Sequence, residues 1–214
     1  MKIAFRDINK QLDDPFFEIR TLGRDAIKGR TFPMGKYGEA PGNFCFINWK
    51  EEDNHGTIQY AFHDTGIGRL LIANTLKGLC FLGFACKGDE EIKADFVRRF
   101  PGQSMIEEIS DLQLLAVEYC NGKHEQSIPL HMKGTAFQTG IWKQLIRIPE
   151  GRLSTYGSLS EDPGAAQAVG SAVSANPVSY IVPCHRIVKN DGNIQGYHWG
   201  TDIKKQLLAY ELQP

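Results

Sequence analysis

The alternation that begins at Thr57 constrains the fold of this chain more than any other feature. Ile58, Tyr60 and Phe62 take every second position, Asp64-Thr-Gly makes a turn, and the apolar runs Leu70 to Ala73 and Leu79 to Phe84 follow around Lys77-Gly78. Side chains two residues apart share one face of a strand, so this pattern predicts a three-stranded meander. Two stripes at helical spacing come next. Ile92, Phe96 and Phe100 are stopped by Pro101, and Ile109, Leu112, Leu115 and Tyr119 are stopped by Asn121-Gly122. Residues 56–132 therefore read as a small sheet with helices.

Gly134 opens a different texture. Thr135 and Gln138 have the spacing of a capping box ahead of Phe137, Ile141 and Leu145, a helix that Pro149 ends. Tyr156 and Leu159 fit a short second helix, and Ala165, Val169, Ala172 and Val173 fit a third that stops at Asn176-Pro177. Val178, Tyr180 and Val182 then alternate as a strand, Lys189-Asn-Asp-Gly192 reads as a hairpin turn, and Ile203, Leu207 and Leu208 mark a last helix. Residues 133–214 thus follow the order of a winged helical domain. The fold class expected is α+β.

Residues 1–55 show little periodicity and read as an N-terminal extension of unknown role, with Phe5, Phe16, Phe17 and Ile19 as anchors. The chain has 214 residues, 42% of them hydrophobic and 23% charged, enough to bury a core. No apolar stretch reaches the roughly 20 residues of a membrane span, and the first residues do not resemble a signal peptide, so a cytoplasmic protein without membrane contact is expected. Net charge is -1, and residues 134–214 carry seven Lys and Arg against six Asp and Glu. Any affinity for undamaged nucleic acid should be modest and depend weakly on salt.

The chemistry concentrates at Pro183-Cys184-His185-Arg186, directly after the apolar run Val178 to Val182. A thiolate is the reactive form of cysteine, and a neighbouring imidazole or cation lowers a free thiol pKa of about 8.5. Cys184 is thus a candidate nucleophile, with His185 and Arg186 placed to assist. Cys45, Cys80, Cys86 and Cys120 form no C-x-x-C pair with one another, which suggests neither a disulfide framework nor a zinc ribbon. The spacing of Cys80, Cys86, His55 and His63 lacks paired zinc ligands, so no metal and no cofactor are expected.

The sequence around Cys184 resembles the 6-O-alkylguanine-DNA alkyltransferases, which take an alkyl group from damaged guanine onto their own cysteine. The resemblance runs from Ile58-Gln-Tyr-Ala-Phe through Gly134-Thr-Ala-Phe-Gln and Arg147-Ile-Pro-Glu-Gly-Arg-Leu-Ser-Thr-Tyr156 to Asn176-Pro177 and Ile181-Val-Pro-Cys-His-Arg-Ile-Val188. It closes with Gly196-Tyr-His-Trp-Gly200 and Leu207-Leu-Ala-Tyr-Glu211. Family membership implies a ribonuclease H-like N-terminal sheet domain followed by a winged helix-turn-helix-like catalytic domain. It also implies a protein acting once, without cofactor, on double-stranded DNA that carries alkylated guanine, and because a single lesion has no twofold symmetry a monomer is expected. Some relatives hold a structural zinc, for which no ligands carry over to this chain.

The resemblance assigns roles residue by residue. Cys184 is the acceptor, His185 takes its proton through a water, and Glu211 orients His185. Tyr156 protonates the departing guanine and crowds the phosphate, so that it serves both catalysis and substrate binding. Asn176 braces the turn before the active-site strand. Ile187 with its carbonyl, Tyr197 and Trp199 correspond to the wall of the guanine pocket, and Trp199 stands where some members have a small residue. The small residues Ala165, Ala168 and Ala172 suit a helix that enters the minor groove, and Arg186 is counted with them as a DNA contact.

One departure stands out. Gln167 occupies the position where the family has an arginine that fills the gap left by the flipped base, and the stretch from Tyr156 to Gln167 is shorter than usual. Weaker or altered engagement with DNA is expected. Two competing readings remain at this point: a non-transferring alkyltransferase-like protein that only binds the lesion, and an unrelated thiol hydrolase. The first normally lacks the cysteine that is present here.

Overall fold

A computed structural model describes residues 44–160 and 162–211. The extension expected over residues 1–55 lies outside the described residues as far as residue 43, its four anchors included. Residues 44–48 are not part of an extension, because Phe44–Asn48 is the first strand, β1, of a six-stranded sheet. Its partner lies far along the chain, at Ile128–Met132 (β6), which is why so short an apolar run gave no strand signal.

The described residues divide into two compact units, one comprising 44–139 with 177–181 and the other 140–176 with 182–211. In the first, the meander is β2 (Thr57–Thr65), β3 (Gly68–Thr75) and β4 (Gly78–Phe84), paired antiparallel in sequence order. Parallel strands extend it on both sides: β5 (Ser104–Glu107) pairs with β2, while β6 pairs with β4 and with β1. Every residue of β4 is buried, as expected of a central strand covered on both faces. The β4 to β6 approach is close at Gly78, where a Cβ would lie 2.6 Å from the carbonyl oxygen of Pro129 and only glycine fits.

Two helices flank these strands, α1 (Asp89–Arg99) and α2 (Asp111–Cys120). Phe96 of α1 packs on Phe81 of β4 and Tyr60 of β2, with ring centroids 5.2 and 5.5 Å apart. Ser110 caps α2 by accepting from the Gln113 amide. Ile109, expected within this helix, therefore lies before it and is exposed.

The second unit is mostly helical. It includes the C-terminal part of α3 (Ala136–Leu145), a 3-10 turn at Tyr156–Leu159, α4 (Ala166–Ser174) and α5 (Thr201–Glu211). The capping box forms as its spacing predicts, Thr135 Oγ1 accepting from the Gln138 amide and Gln138 Oε1 accepting from the Thr135 amide. Trp142 of α3 donates from Nε1 to the Ala172 carbonyl of α4 at 2.8 Å, joining the two helices at a buried point. Leu153, Val188 and Leu208 form a core cluster with Ile194 against it.

Two expectations need correction. The apolar run Val178 to Val182 is buried but is not a strand: Val178 forms one isolated bridge with Leu82, and the backbone then turns at Tyr180, with φ of 70°. The Ile181 amide bonds the Ser179 carbonyl across that residue, a three-residue turn in the left-handed region that breaks the pleat. Burial on all sides gave this irregular segment the same apolar signature as a strand. Likewise Lys189 to Gly192 does turn, closed by the Gly192 amide on the Lys189 carbonyl at 2.8 Å, but no return strand follows. The preceding strand β8 (Ile187–Val188) pairs in parallel with β7 (Ser154–Thr155) instead.

Candidate active site

Cys184 opens a 3-10 turn, Cys184–Arg186, entered through Pro183 at φ -81° and ψ 64°. The Cys184 amide bonds the Val182 carbonyl at 2.8 Å, a second tight turn within a few residues. Cys184 is 5% exposed. Asn176, just past the end of α4, sends one amide nitrogen to two acceptors, the Val182 carbonyl at 2.8 Å and Sγ of Cys184 at 3.2 Å. The asparagine expected to brace this turn thus also touches the sulfur.

His185 is fully buried, and its Nε2 lies 2.7 Å from Oε1 of Glu211, the last residue of α5. Burial alone would raise the Glu211 carboxyl, but the guanidinium of Arg186 and the imidazole of His185 hold it far below the usual carboxylate range. An ionised carboxylate only accepts, so Nε2 of His185 is the donor and Nδ1 is left as the basic nitrogen. Burial pushes His185 below its ordinary value, against the opposing pull of Glu211, so the ring is neutral at physiological pH.

Arg186 is not a surface residue. It is buried, with Nε 3.2 and 3.0 Å from the two oxygens of Glu211, Nη2 2.8 Å from Oε1, and Nη1 donating to the Ile148 carbonyl. A side chain with this many interior partners is unavailable to phosphates, which corrects the expectation of a DNA contact. The same holds for Ala172, which is buried, with its carbonyl bonded by Trp142. Gln167 and Ala168 are exposed on α4, and Ala165 just before it is half-buried.

Tyr156 is half-buried at the start of its 3-10 turn, and its phenol is raised by burial and then by the nearby charge of Cys184. Ile187, Tyr197 and Trp199 are all buried in the same unit, and Trp199 meets His198 edge to face at 4.5 Å. The Ile187 carbonyl, expected to face the guanine, already accepts from Nζ of Lys204.

Lys204 is the residue that sequence reasoning missed. It is 1% exposed, and burial lowers its ammonium from 10.5 to about 8, with Cys184 pulling the other way. The signal was present: Lys204, Leu207, Leu208 and Glu211 stand at helical intervals of three, four and seven, and all four are buried on α5. A lysine inside an apolar stripe marks a buried cation.

Among the described residues no group of three or more His, Cys, Asp or Glu could hold a metal ion, and no helix is long and apolar enough to cross a membrane. The arrangement sets a cysteine next in sequence to a neutral imidazole whose Nε2 is fixed by an ionised carboxylate, with a buried ammonium that feels the charge of the cysteine. That is the equipment of a sulfur nucleophile.

Comparison with known proteins points the same way. Residues 136–213 match the family described as the DNA binding domain of 6-O-methylguanine DNA methyltransferase. The inducible methylated-DNA–protein-cysteine methyltransferase of Bacillus subtilis (strain 168) is 40% identical over 167 residues, covering 75% of this chain and 93% of that protein. The crystal structure of the Mycobacterium tuberculosis O6-methylguanine methyltransferase is similar with a TM-score of 0.59 at 30% identity, covering 73% of this chain and 93% of that chain. A crystal structure of the OGT of the same organism in complex with DNA gives a TM-score of 0.58 at 30% identity, covering 72% and 92%.

Proposed function

This chain belongs to the methylated-DNA–protein-cysteine methyltransferase family, and we propose that it repairs DNA by moving the alkyl group of 6-O-alkylguanine onto Cys184. The thiol proton of Cys184 passes to His185 by way of solvent. The sulfur attacks the alkyl carbon, the carbon–oxygen bond to guanine breaks, and the departing base takes a proton from Tyr156, whose phenol is restored by the proton that His185 received and returns through solvent. Guanine is restored and S-alkylcysteine remains, so each molecule acts once and needs no cofactor. The observation that carries this reading is the bond of His185 to ionised Glu211 at 2.7 Å next to a cysteine held by Asn176.

A base inside a duplex cannot present its exocyclic oxygen to a buried thiol, so the nucleotide is turned out of the stack, at a cost of a few kcal/mol. The exposed Gln167 and Ala168 at the start of α4, with the half-buried Ala165 just before it, are the surface offered to the minor groove, and Ile187, Tyr197 and Trp199 are the wall that receives the base. The division of labour is a ribonuclease H-like sheet domain, expected over residues 56–132 and joined in the structure by β1, and a winged helix-turn-helix-like domain, expected over residues 133–214, from which residues 177–181 group with the sheet. The mixed sheet with its antiparallel centre supports the first assignment, and the order of α3, α4 and the turn after β8 supports the second. One lesion has no twofold symmetry, which favours a monomer. The absence of any disulfide among the five cysteines suits the cytoplasm.

The test is a pair of proteins, wild type and Cys184→Ser, incubated with a duplex oligonucleotide containing methylguanine. Wild type should convert the lesion to guanine in proportion to protein added, and the variant should bind the lesion without converting it. Conversion by Cys184→Ser, or repeated turnover by wild type, would exclude stoichiometric transfer to this sulfur.

A further inference from the structure

We propose that Arg186 is a positioning residue for this transfer: by occupying both oxygens of Glu211 it keeps the His185–Glu211 pair vacant for the thiol proton of Cys184. The inference rests on the transfer reading and adds to it a reason for a third charged side chain in the interior. Three observations carry it. The guanidinium meets the carboxylate through both Nε and Nη2 and is anchored from the far side by the Ile148 carbonyl, a fixed fork that an ammonium cannot reproduce. Glu211 is the last residue of α5, so its negative charge sits at the helix end where the backbone dipole is also negative. Arg186, Glu211 and His185 are all buried, which leaves solvent little part in screening them.

A carboxylate buried at the negative end of a helix favours protonation, either of itself or of the imidazole bonded to it. The two groups share a short hydrogen bond and titrate together, so the pair gains proton affinity whichever atom holds the proton. Arg186 opposes that gain with a charge in direct contact. The other charged groups acting on His185 are Lys204, which also disfavours a proton there, and Glu211, which favours one. With Arg186 present, the carboxylate accepts from Nε2 and the opposite nitrogen is free of a proton when the thiol must lose one. Burial still disfavours a proton on His185 without Arg186, but the pair then holds one up to a higher pH, and the thiol has less vacant imidazole to send its own to.

A brace that only held the fold would slow transfer equally at every pH. The proposal instead requires a change in the shape of the profile. We would measure the single-turnover rate of methyl transfer from a methylguanine duplex as a function of pH for wild type, Arg186→Gln and Arg186→Lys, with the titration of His185 followed by NMR. In Arg186→Gln the acid limb of the rate and the imidazole titration should both move up by about one pH unit, lowering the rate about tenfold on that limb. Arg186→Lys, which restores the charge without the fork, should recover most of that shift. A uniformly slower Arg186→Gln with an unmoved acid limb would overturn the proposal. Should Arg186→Gln fail to fold, Arg186→Lys decides: an ammonium cannot reproduce the fork on Glu211, so its acid limb and imidazole titration should both lie slightly above those of wild type, and values at or below wild type would overturn the idea. Wild type that takes up no methyl would sink the transfer reading itself, whereas active wild type with an unshifted variant sinks only the role given to Arg186.

Discussion

The side-chain amide of Asn176 stands 3.2 Å from Sγ of Cys184 while the same nitrogen bonds the Val182 carbonyl at 2.8 Å. One donor thereby fixes the turn that presents the sulfur and contacts the sulfur itself. Asn176→Ala removes one of the two donors on the buried Val182 carbonyl, the Cys184 amide being the other, and unfolding by urea should show a loss of about 0.5–1.5 kcal/mol. Alkylation of Cys184 by iodoacetamide should slow in the same variant. Unchanged stability together with unchanged alkylation would remove Asn176 from the site.

Lys204 links stability to pH on the alkaline side of neutrality. Its folded value of about 8 lies below the 10.5 of an unperturbed lysine, so between those values the unfolded chain binds the proton more tightly. Stability should therefore rise with pH across that window, because the cost of burying the ammonium is relieved there. Lys204→Met should flatten this dependence in urea melts and, by removing a cation near Cys184, slow iodoacetamide alkylation by about three- to tenfold. Faster alkylation would contradict the assignment of Lys204 as a support for the thiolate.

Acid should weaken the sheet unit in two stages. His131 is buried, stacks on Trp49 at 4.6 Å and lies 3.2 Å from Asp53, and burial holds it below its ordinary value of 6.5. Stability is lost as pH falls below that value, because the unfolded chain takes up the proton first. Asp53 resists its own burial through the ammonium of Lys77 at 2.6 Å and the Lys50 amide, which lower it from 3.8 to about 2. Its contribution is complete above 3.8 and is lost as pH falls towards 2. His131→Gln should abolish the first stage only, as read by denaturation midpoints across pH.

Gln167 is exposed in the first turn of α4, and no cation stands on that helix. Gln167→Arg should tighten binding to duplex DNA, make it steeper in salt by about one counterion, and speed repair of a methylguanine duplex. Fluorescence anisotropy over a salt series checks the binding. No change in either slope or rate would mean that this position does not face the nucleic acid.

The sequence revealed the elements whose physics is local and concealed those whose partners are remote. The meander showed itself through strict alternation and two turns, and the helices through their stripes and caps. β5 is an exposed edge of four residues, β6 carries Pro129, and β1 depends on β6, so none offered a pattern that periodicity could find. At the site, Cys184 and His185 were visible because they are adjacent, and Glu211 through the resemblance. Arg186 and Lys204 were misread or missed for one reason: charged residues are normally exposed, and only the contacts with Glu211, Ile148 and Ile187 explain their burial.

The most direct test of the account is the mass of the tryptic peptide that holds Cys184 after the protein meets an oligonucleotide containing methylguanine. A gain of one methyl on that peptide, matched by restored guanine in the DNA, is the predicted result. An unmodified Cys184 with the lesion bound but intact would contradict it.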